Sequence, residues 1–204
     1  MIASPFFQRL ILLAVIGLVY ANTFLNSFHF DDLPSILEKP WIRGLDKIPQ
    51  FLNKEGLFQR PLVILSFNIN YAISQFEVWS YHLFNMVLHA LTTLLVYRVA
   101  RKALNFMEEF SPKKNLTFLP FLAAIVFALH PLSTQSVTYI SSRSGMLVTV
   151  FYLAALILFF DGFKRWKQTG QKGWGYFIGS AICFILGGLS KEIIVTLPAM
   201  LFLF

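Results

Sequence analysis

Tyr81-His82-Leu83-Phe84-Asn85-Met86-Val87-Leu88-His89-Ala90-Leu91-Thr92-Thr93-Leu94-Leu95-Val96-Tyr97-Arg98-Val99 is the stretch that decides how this chain folds. A helix rises about 1.5 Å per residue and the hydrocarbon of a bilayer is about 30 Å thick, so this run is close to the length of a membrane span. Its one full charge, Arg98, stands at its end. His82, Asn85 and His89 recur at i, i+3 and i+7, which is one helical face. Polar groups in a span turn toward the bundle interior, so this face points at protein or at a cavity. Interhelical hydrogen bonding accounts for Asn85 and His89 more directly than metal ligation does, and no Cys or His spacing resembles a structural zinc site.

Four further runs repeat the pattern, at residues 9–26, 116–130, 146–160 and 175–189. A sixth begins at Ile193 and reaches Phe204, too short to span, so the chain reads as ending inside an element, as a truncated sequence would. The fold expected is all-α: a polytopic transmembrane helical bundle of about five to six spans, forming a single membrane domain over residues 1–204. Composition agrees, since 56% of the chain is hydrophobic and 13% charged, against about half and a quarter in soluble proteins. The single cysteine, Cys183, lies in an apolar run, which excludes an intramolecular disulfide framework.

Basic residues fix the expected orientation, because Lys and Arg of short loops stay on the cytoplasmic side. With the N-terminus inside, the cytoplasmic group holds Arg9, Arg98, Arg101, Lys102, Lys113, Lys114, Lys164, Arg165, Lys167 and Lys172 against Glu108, Glu109 and Asp161, a net +7. The outer side carries seven basic residues and seven acidic ones and sums to zero. This split explains the chain's basic character, and no basic stripe with interleaved aromatics points to nucleic acid. Val19 and Ala21 sit at signal-peptidase spacing, but the apolar run continues to Phe28, and under either reading the next loop emerges outside. The sequon Asn115-Leu116-Thr117 falls in a cytoplasmic loop, where N-glycosylation is not expected. The setting is a bacterial inner membrane, or the endoplasmic reticulum in a eukaryote.

Residues 28–80 form the one long outer loop. Ser35-Ile36-Leu37-Glu38 reads as a capping box, and Ile48, Phe51, Leu52, Leu57 and Phe58 recur at roughly helical spacing. Short amphipathic helices on the membrane surface fit this pattern. Leu62 to Ile73, apolar with Asn68 and Asn70 interspersed, reads as a helix packed against the bundle.

The groups able to carry chemistry gather at the outer ends of the spans. Asp31 and Asp32 follow the first span; adjacent carboxylates raise each other's proton affinity and can hold a divalent cation, Mg or Mn, although either could equally cap the helix that begins near Pro34. Arg60 opens the run back into the membrane, where its guanidinium can grip a phosphate or snorkel to lipid headgroups. His130, Thr134, Gln135, Ser136 and Arg143 fall in or beside a short second outer loop dense in hydrogen-bonding groups, whose plain alternative is turn chemistry around Pro131. Lys191-Glu192 places an ion pair at the outer end of the fifth span, an anchor or a phosphate ligand. No Gly-rich phosphate loop, no Ser/His/Asp ordering and no cytoplasmic nucleotide-binding domain appears, which speaks against a nucleotide-sugar enzyme; with the polar groups outside, any donor has to be available there.

Taken in order, Phe28-His29-Phe30-Asp31-Asp32, Arg60-Pro61-Leu62, Tyr81-His82-Leu83-Phe84-Asn85 with Leu88-His89, Phe127-Ala128-Leu129-His130-Pro131, Val137-Thr138-Tyr139-Ile140 with Arg143, and Leu189-Ser190-Lys191-Glu192 resemble the C-type (GT-C) glycosyltransferase fold. Within it the set most resembles the N-terminal portion of the TMTC-like transmembrane and tetratricopeptide-repeat O-mannosyltransferases and their bacterial relatives. The resemblance implies that Asp31 and Asp32 act as general base or metal ligand for the acceptor, and that Arg60, with Lys191, lies near the phosphate of a polyprenyl-phosphate donor. His29, His82, Asn85, His130, Gln135, Arg143 and Glu192 would line the substrate site. Gln135 departs from the Glu of animal relatives. The implied activity is transfer of a mannose-like hexose from a polyprenyl-phosphate to a protein or glycan hydroxyl on the extracytoplasmic side, with membrane lipid as the surrounding partner. A non-catalytic scaffold fragment is the alternative; a transporter would place ionisable groups near mid-membrane, and here they cluster at the outer ends.

Overall fold

The computed structural model describes residues 4–57, 59–110 and 116–202; Phe58, Lys113, Lys114, Asn115 of the sequon and the last two residues of the sixth apolar run lie outside the described residues. In chain order the helices are α1 (Pro5–Val19), α2 (Ile48–Glu55), α3 (Pro61–Ser74), α4 (Trp79–Phe110), α5 (Leu119–Leu129), α6 (Pro131–Thr138), α7 (Arg143–Thr169), α8 (Trp174–Gly188) and α9 (Leu197–Phe202). Proline occupies the first turn of several of them, where its missing N–H has no intrahelical partner to lose. No strand occurs among the described residues, so the architecture is all-α.

Among the described residues the helices of membrane-crossing length are fewer than five. Pro5–Leu25, Trp79–Phe106 and Ile140–Thr169 are long and apolar enough, and α5 with α6 makes a fourth if the pair counts as one span, although it is bent by 60°. α8 has 15 residues, about 22 Å of helix, which is short of the hydrocarbon thickness. The run at residues 175–189 is therefore a shorter apolar helix, and Ile193 onward divides into a 3-10 turn, Glu192–Thr196, and α9.

α4 is the central element, packing along α1, α5 and α7, while α7 also runs beside α8. Its two faces separate by chemistry: Leu83, Val87 and Leu91 are exposed, as lipid-facing residues are, whereas His82, Asn85, His89, Thr92 and Thr93 are buried. α7 and α8 approach closely at Gly162, where a Cβ would lie 2.9 Å from Tyr176 Cβ. At the end remote from the 28–80 segment, Asp161 of α7 receives Arg98 (3.2 Å) and Lys102 of α4, which ties the two long helices together. Deeper in the bundle the Tyr97 hydroxyl donates to Gln8 Oε1 at 2.7 Å, joining α4 to α1.

The 28–80 segment is helical in pieces, as its sequence pattern implies, with one difference. Leu33–Leu37 forms a π turn with no side-chain cap, so Ser35 does not head a capping box. α3 packs against α4, and Asn68 on its buried side donates to the carbonyls of Trp41 (2.7 Å) and Gly44 (2.6 Å), holding the loop to the bundle.

Candidate active site

A cavity of about 650 Å³ opens at the loop end of the bundle, between α4, α5, α6 and α7. Asp31, His130, Tyr139 and Lys191 stand among its lining groups, with the hydroxyls of Ser133, Ser136, Ser141 and Ser142. His89, Thr92, Phe127, Met146 and Thr149 carry the lining down between the helices, so the space is polar at one end and mixed at the other.

The aspartate pair divides. Asp32 is fully buried; its carboxylate accepts from the Ser141 hydroxyl (2.6 Å), the Ser141 N–H (2.8 Å) and the His29 N–H (3.3 Å). It does not cap the following turn but joins two loops far apart in sequence. Asp31 is exposed and lines the cavity, and its N–H donates to the Tyr139 hydroxyl at 3.1 Å. Partial burial first, then hydrogen bonding to the Asp31 carboxylate, pushes the Tyr139 phenol above its ordinary pKa. Among the described residues no group of three or more His, Cys, Asp or Glu side chains gathers around a common point, so a divalent cation at Asp31 would find few protein ligands.

Arg143 and Asn85 lie behind the cavity and not on its wall. Arg143, the first residue of α7, is fully buried. Its guanidinium donates to Asn85 Oδ1 (2.9 Å), Asn70 Oδ1 (2.5 Å), Ser66 Oγ (3.2 Å) and the Tyr81 carbonyl (3.0 Å). The faces of Phe67 and Phe84 flank it at 4.4 and 4.5 Å. Neutral dipoles and aromatic quadrupoles thus solvate the cation, and no carboxylate lies within ion-pair distance of it among the described residues. Asn85 passes the order on, its amide donating to the Tyr139 (3.3 Å) and Ile140 (3.5 Å) carbonyls.

The other expected residues are dispersed. His82 bonds Thr23 (3.2 Å) and the Asn26 carbonyl (3.4 Å), fixing the exit from the first span. The His29 ring stacks beside that of Tyr139 at 6.1 Å. His130 lines the cavity and accepts the Leu132 N–H at 3.2 Å, capping α6. Gln135 is exposed on α6, away from the cavity lining. Lys191 lines the cavity with no carboxylate in ion-pair range among the described residues. Arg60 instead borders a second cavity of about 170 Å³ with Lys39, Glu55, Ser141 and Ser144, and both Glu192 carboxylate oxygens accept from it at 2.9 and 3.2 Å. The Glu192 backbone N–H and the Arg60 guanidinium hold that carboxyl below its usual range. Ser141 and Ser144 border both cavities, so the start of α7 separates them. Ser141 and Ser142 fall in the stretch 139–143 that the sequence reads as part of an outer loop dense in hydrogen-bonding groups, without a role of their own, and Ser144 and the mid-span pair Thr92 and Thr149 were not singled out by sequence.

Similarity to known proteins covers most of the chain. Protein O-mannosyl-transferase TMTC2 of Mus musculus is 31% identical over 192 residues, 89% of this chain and 22% of the relative. Protein O-mannosyl-transferase Tmtc2 of Drosophila melanogaster is 29% identical over 191 residues (87% and 19%), and TMTC3 of Mus musculus 29% over 158 (72% and 16%). The chain spans about a fifth of the length of these curated relatives. No family model matches it. No solved structure matches it either.

Proposed function

Since the chain belongs to the TMTC-like family, we propose that it forms the catalytic membrane part of a protein O-mannosyltransferase that takes its sugar from a polyprenyl-phosphate on the extracytoplasmic side. The observation that supports this reading is the cavity holding Asp31 and Lys191 at a polar end, with a lining that takes in Ala123, Val126, Phe127 and Met146 between the helices. Such a space suits a donor whose sugar and phosphate are polar and whose tail is lipid. With the loop end outside, the orientation that the charge split favours, the donor reaches it from the outer leaflet.

Asp31 is the base in this reading. A hydroxyl is a poor nucleophile at neutral pH, and a base that takes its proton as the new bond forms contributes about a hundred- to ten-thousand-fold. The acceptor oxygen attacks the anomeric carbon, its proton passes to the Asp31 carboxylate, and the bond from that carbon to the phosphate oxygen breaks with its electron pair. The leaving phosphate is already anionic, so a strong general acid is less needed than in glycoside hydrolysis. Lys191, and Arg60 once released from Glu192, are the cations available to it. Asp32 holds the loop that carries Asp31.

The test is an Asp31→Asn variant of the full-length protein, assayed with labelled polyprenyl-phosphate mannose and a serine- and threonine-rich acceptor polypeptide. Transfer is expected to fall by about a hundred- to ten-thousand-fold with normal insertion and melting. Near-normal transfer would remove Asp31 from the chemistry.

A further inference from the structure

We propose that Tyr139 is the positioning residue for Asp31, its hydroxyl holding the Asp31 N–H and so setting where the carboxylate stands at the cavity edge; this rests on the reading of Asp31 as the base. Every part of Tyr139 is engaged. Its N–H bonds the Gln135 carbonyl at 3.2 Å, closing α6, and its own carbonyl accepts from Asn85 at 3.3 Å. Its ring stacks beside His29 (6.1 Å, 23° between planes), two residues before Asp31, and its hydroxyl accepts the Asp31 N–H at 3.1 Å. A tyrosine that served only packing would bury its ring in an apolar cluster. This one lines the cavity and meets the 29–31 segment with its ring and its hydroxyl.

The chain of support runs inward from there. Asn85 is oriented by Arg143, which is locked by Asn70, Ser66 and the Tyr81 carbonyl. Ser141, two residues after Tyr139, grips Asp32. The 139–141 segment therefore clamps both aspartates of a segment otherwise tethered by a few local bonds, and Tyr139 is the member that touches Asp31. Its hydroxyl accepts the Asp31 N–H, so the contact holds the backbone that carries the carboxylate and leaves the carboxylate oxygens for the proton of the acceptor. Tyr139 itself neither gains nor loses a proton in the step. Lys191 and His130 line the same cavity, and His29 and Asp32 flank Asp31 along the chain, so these are the charged and titratable groups around the pair.

The experiment is a double-mutant cycle in the full-length protein with the same labelled donor and acceptor polypeptide. Tyr139→Phe removes the hydroxyl and keeps the ring. It is expected to lower kcat about ten- to a hundredfold, leave the donor KM within twofold, and leave the melting temperature unchanged. In an Asp31→Asn background the same change is expected to cost less than twofold, because a residue acting through Asp31 has nothing left to position. If residual turnover of that background is below detection, Asp31→Glu replaces it, and the Tyr139→Phe effect should again shrink. An unchanged kcat for Tyr139→Phe, or an equal fold-loss in both backgrounds, overturns the proposal while leaving Asp31 as base. An active Asp31→Asn variant overturns the underlying reading and the proposal together.

Discussion

Arg143→Met is the perturbation that most directly probes how the loop end is built. Methionine matches the length of the arginine stem and removes a buried charge, so two effects compete. Taking the cation out of a low-dielectric site relieves a desolvation penalty, and buried charge clusters replaced wholesale by apolar side chains are often no less stable. Here, however, Asn85 Oδ1 and Asn70 Oδ1 keep their places, because the amide nitrogens remain bonded to the Tyr139, Ile140 and Ser80 carbonyls. Each amide oxygen then loses its donor in a site of zero or 2% exposure. An orphaned buried acceptor costs about 1–3 kcal/mol. The Tyr81 carbonyl still has its helical partner and Ser66 still donates to the Val63 carbonyl, so these two add little. Lost contact with the Phe67 and Phe84 faces adds about 1 kcal/mol. The net expectation is a loss of about 2–5 kcal/mol, or on the order of ten degrees in melting temperature for a domain of this size. Thermal unfolding in detergent, read by tryptophan fluorescence, measures it. Combining Arg143→Met with Asn70→Leu and Asn85→Leu should recover part of the loss, since no acceptor is then stranded. A single variant melting within a degree or two of the parent would refute the reasoning, because it would mean that the amide oxygens find other donors at no cost.

Asp32→Asn should cost about 1.5–3 kcal/mol, the worth of hydrogen bonds to a buried charged group, and lower the melting temperature, whereas Asp31→Asn should not. Arg60→Ala should raise the donor KM of the full-length enzyme and Glu192→Gln should lower it, because the second frees the guanidinium; unchanged KM in both would leave Arg60 as a helix anchor. The Glu192 carboxyl is held below its usual range, so the pair is complete above the ordinary carboxylate pKa and is lost as pH falls through the lowered one; the donor KM should follow that direction in acid. Thiols introduced near Lys47 should react with an impermeant reagent in intact cells and those near Lys167 should not, and the reverse pattern would invert the orientation.

The periodicity of α4 was legible because helical spacing alone places His82, Asn85 and His89 opposite Leu83, Val87 and Leu91. The all-α class followed from the same runs. The number of spans did not, because an apolar run of 15 residues and a run broken by Pro131 both score as membrane-like in composition, while helix length and bend angle depend on packing. At the site, sequence named Asp31 and Asp32 as a pair and could not part them. Their difference arises from Ser141 and Tyr139, each more than a hundred residues away. Arg143 was read as lining an outer loop because it follows the polar run 138–142. Its true surroundings come from α3 and α4, and only the i, i+4 spacing of Ser66 and Asn70 in an apolar helix hinted that something polar lay against them.

The 60° bend between α5 and α6 bears on how the cavity accommodates a ligand. A broken helix leaves carbonyls without their usual N–H partners, and in hydrocarbon that commonly makes the break a point of give. Here the carbonyls are already taken. The Ala128 oxygen accepts from the Tyr20 hydroxyl (3.0 Å) and the His89 ring (3.1 Å), and the Phe127 oxygen from the Ser133 hydroxyl (3.0 Å). Straightening the pair would strand donors on three other side chains, so the corner behaves as a cast wall and not as a hinge. Conformational adjustment to an incoming molecule then falls to side chains such as Lys191, which lines the cavity with no carboxylate in ion-pair range among the described residues.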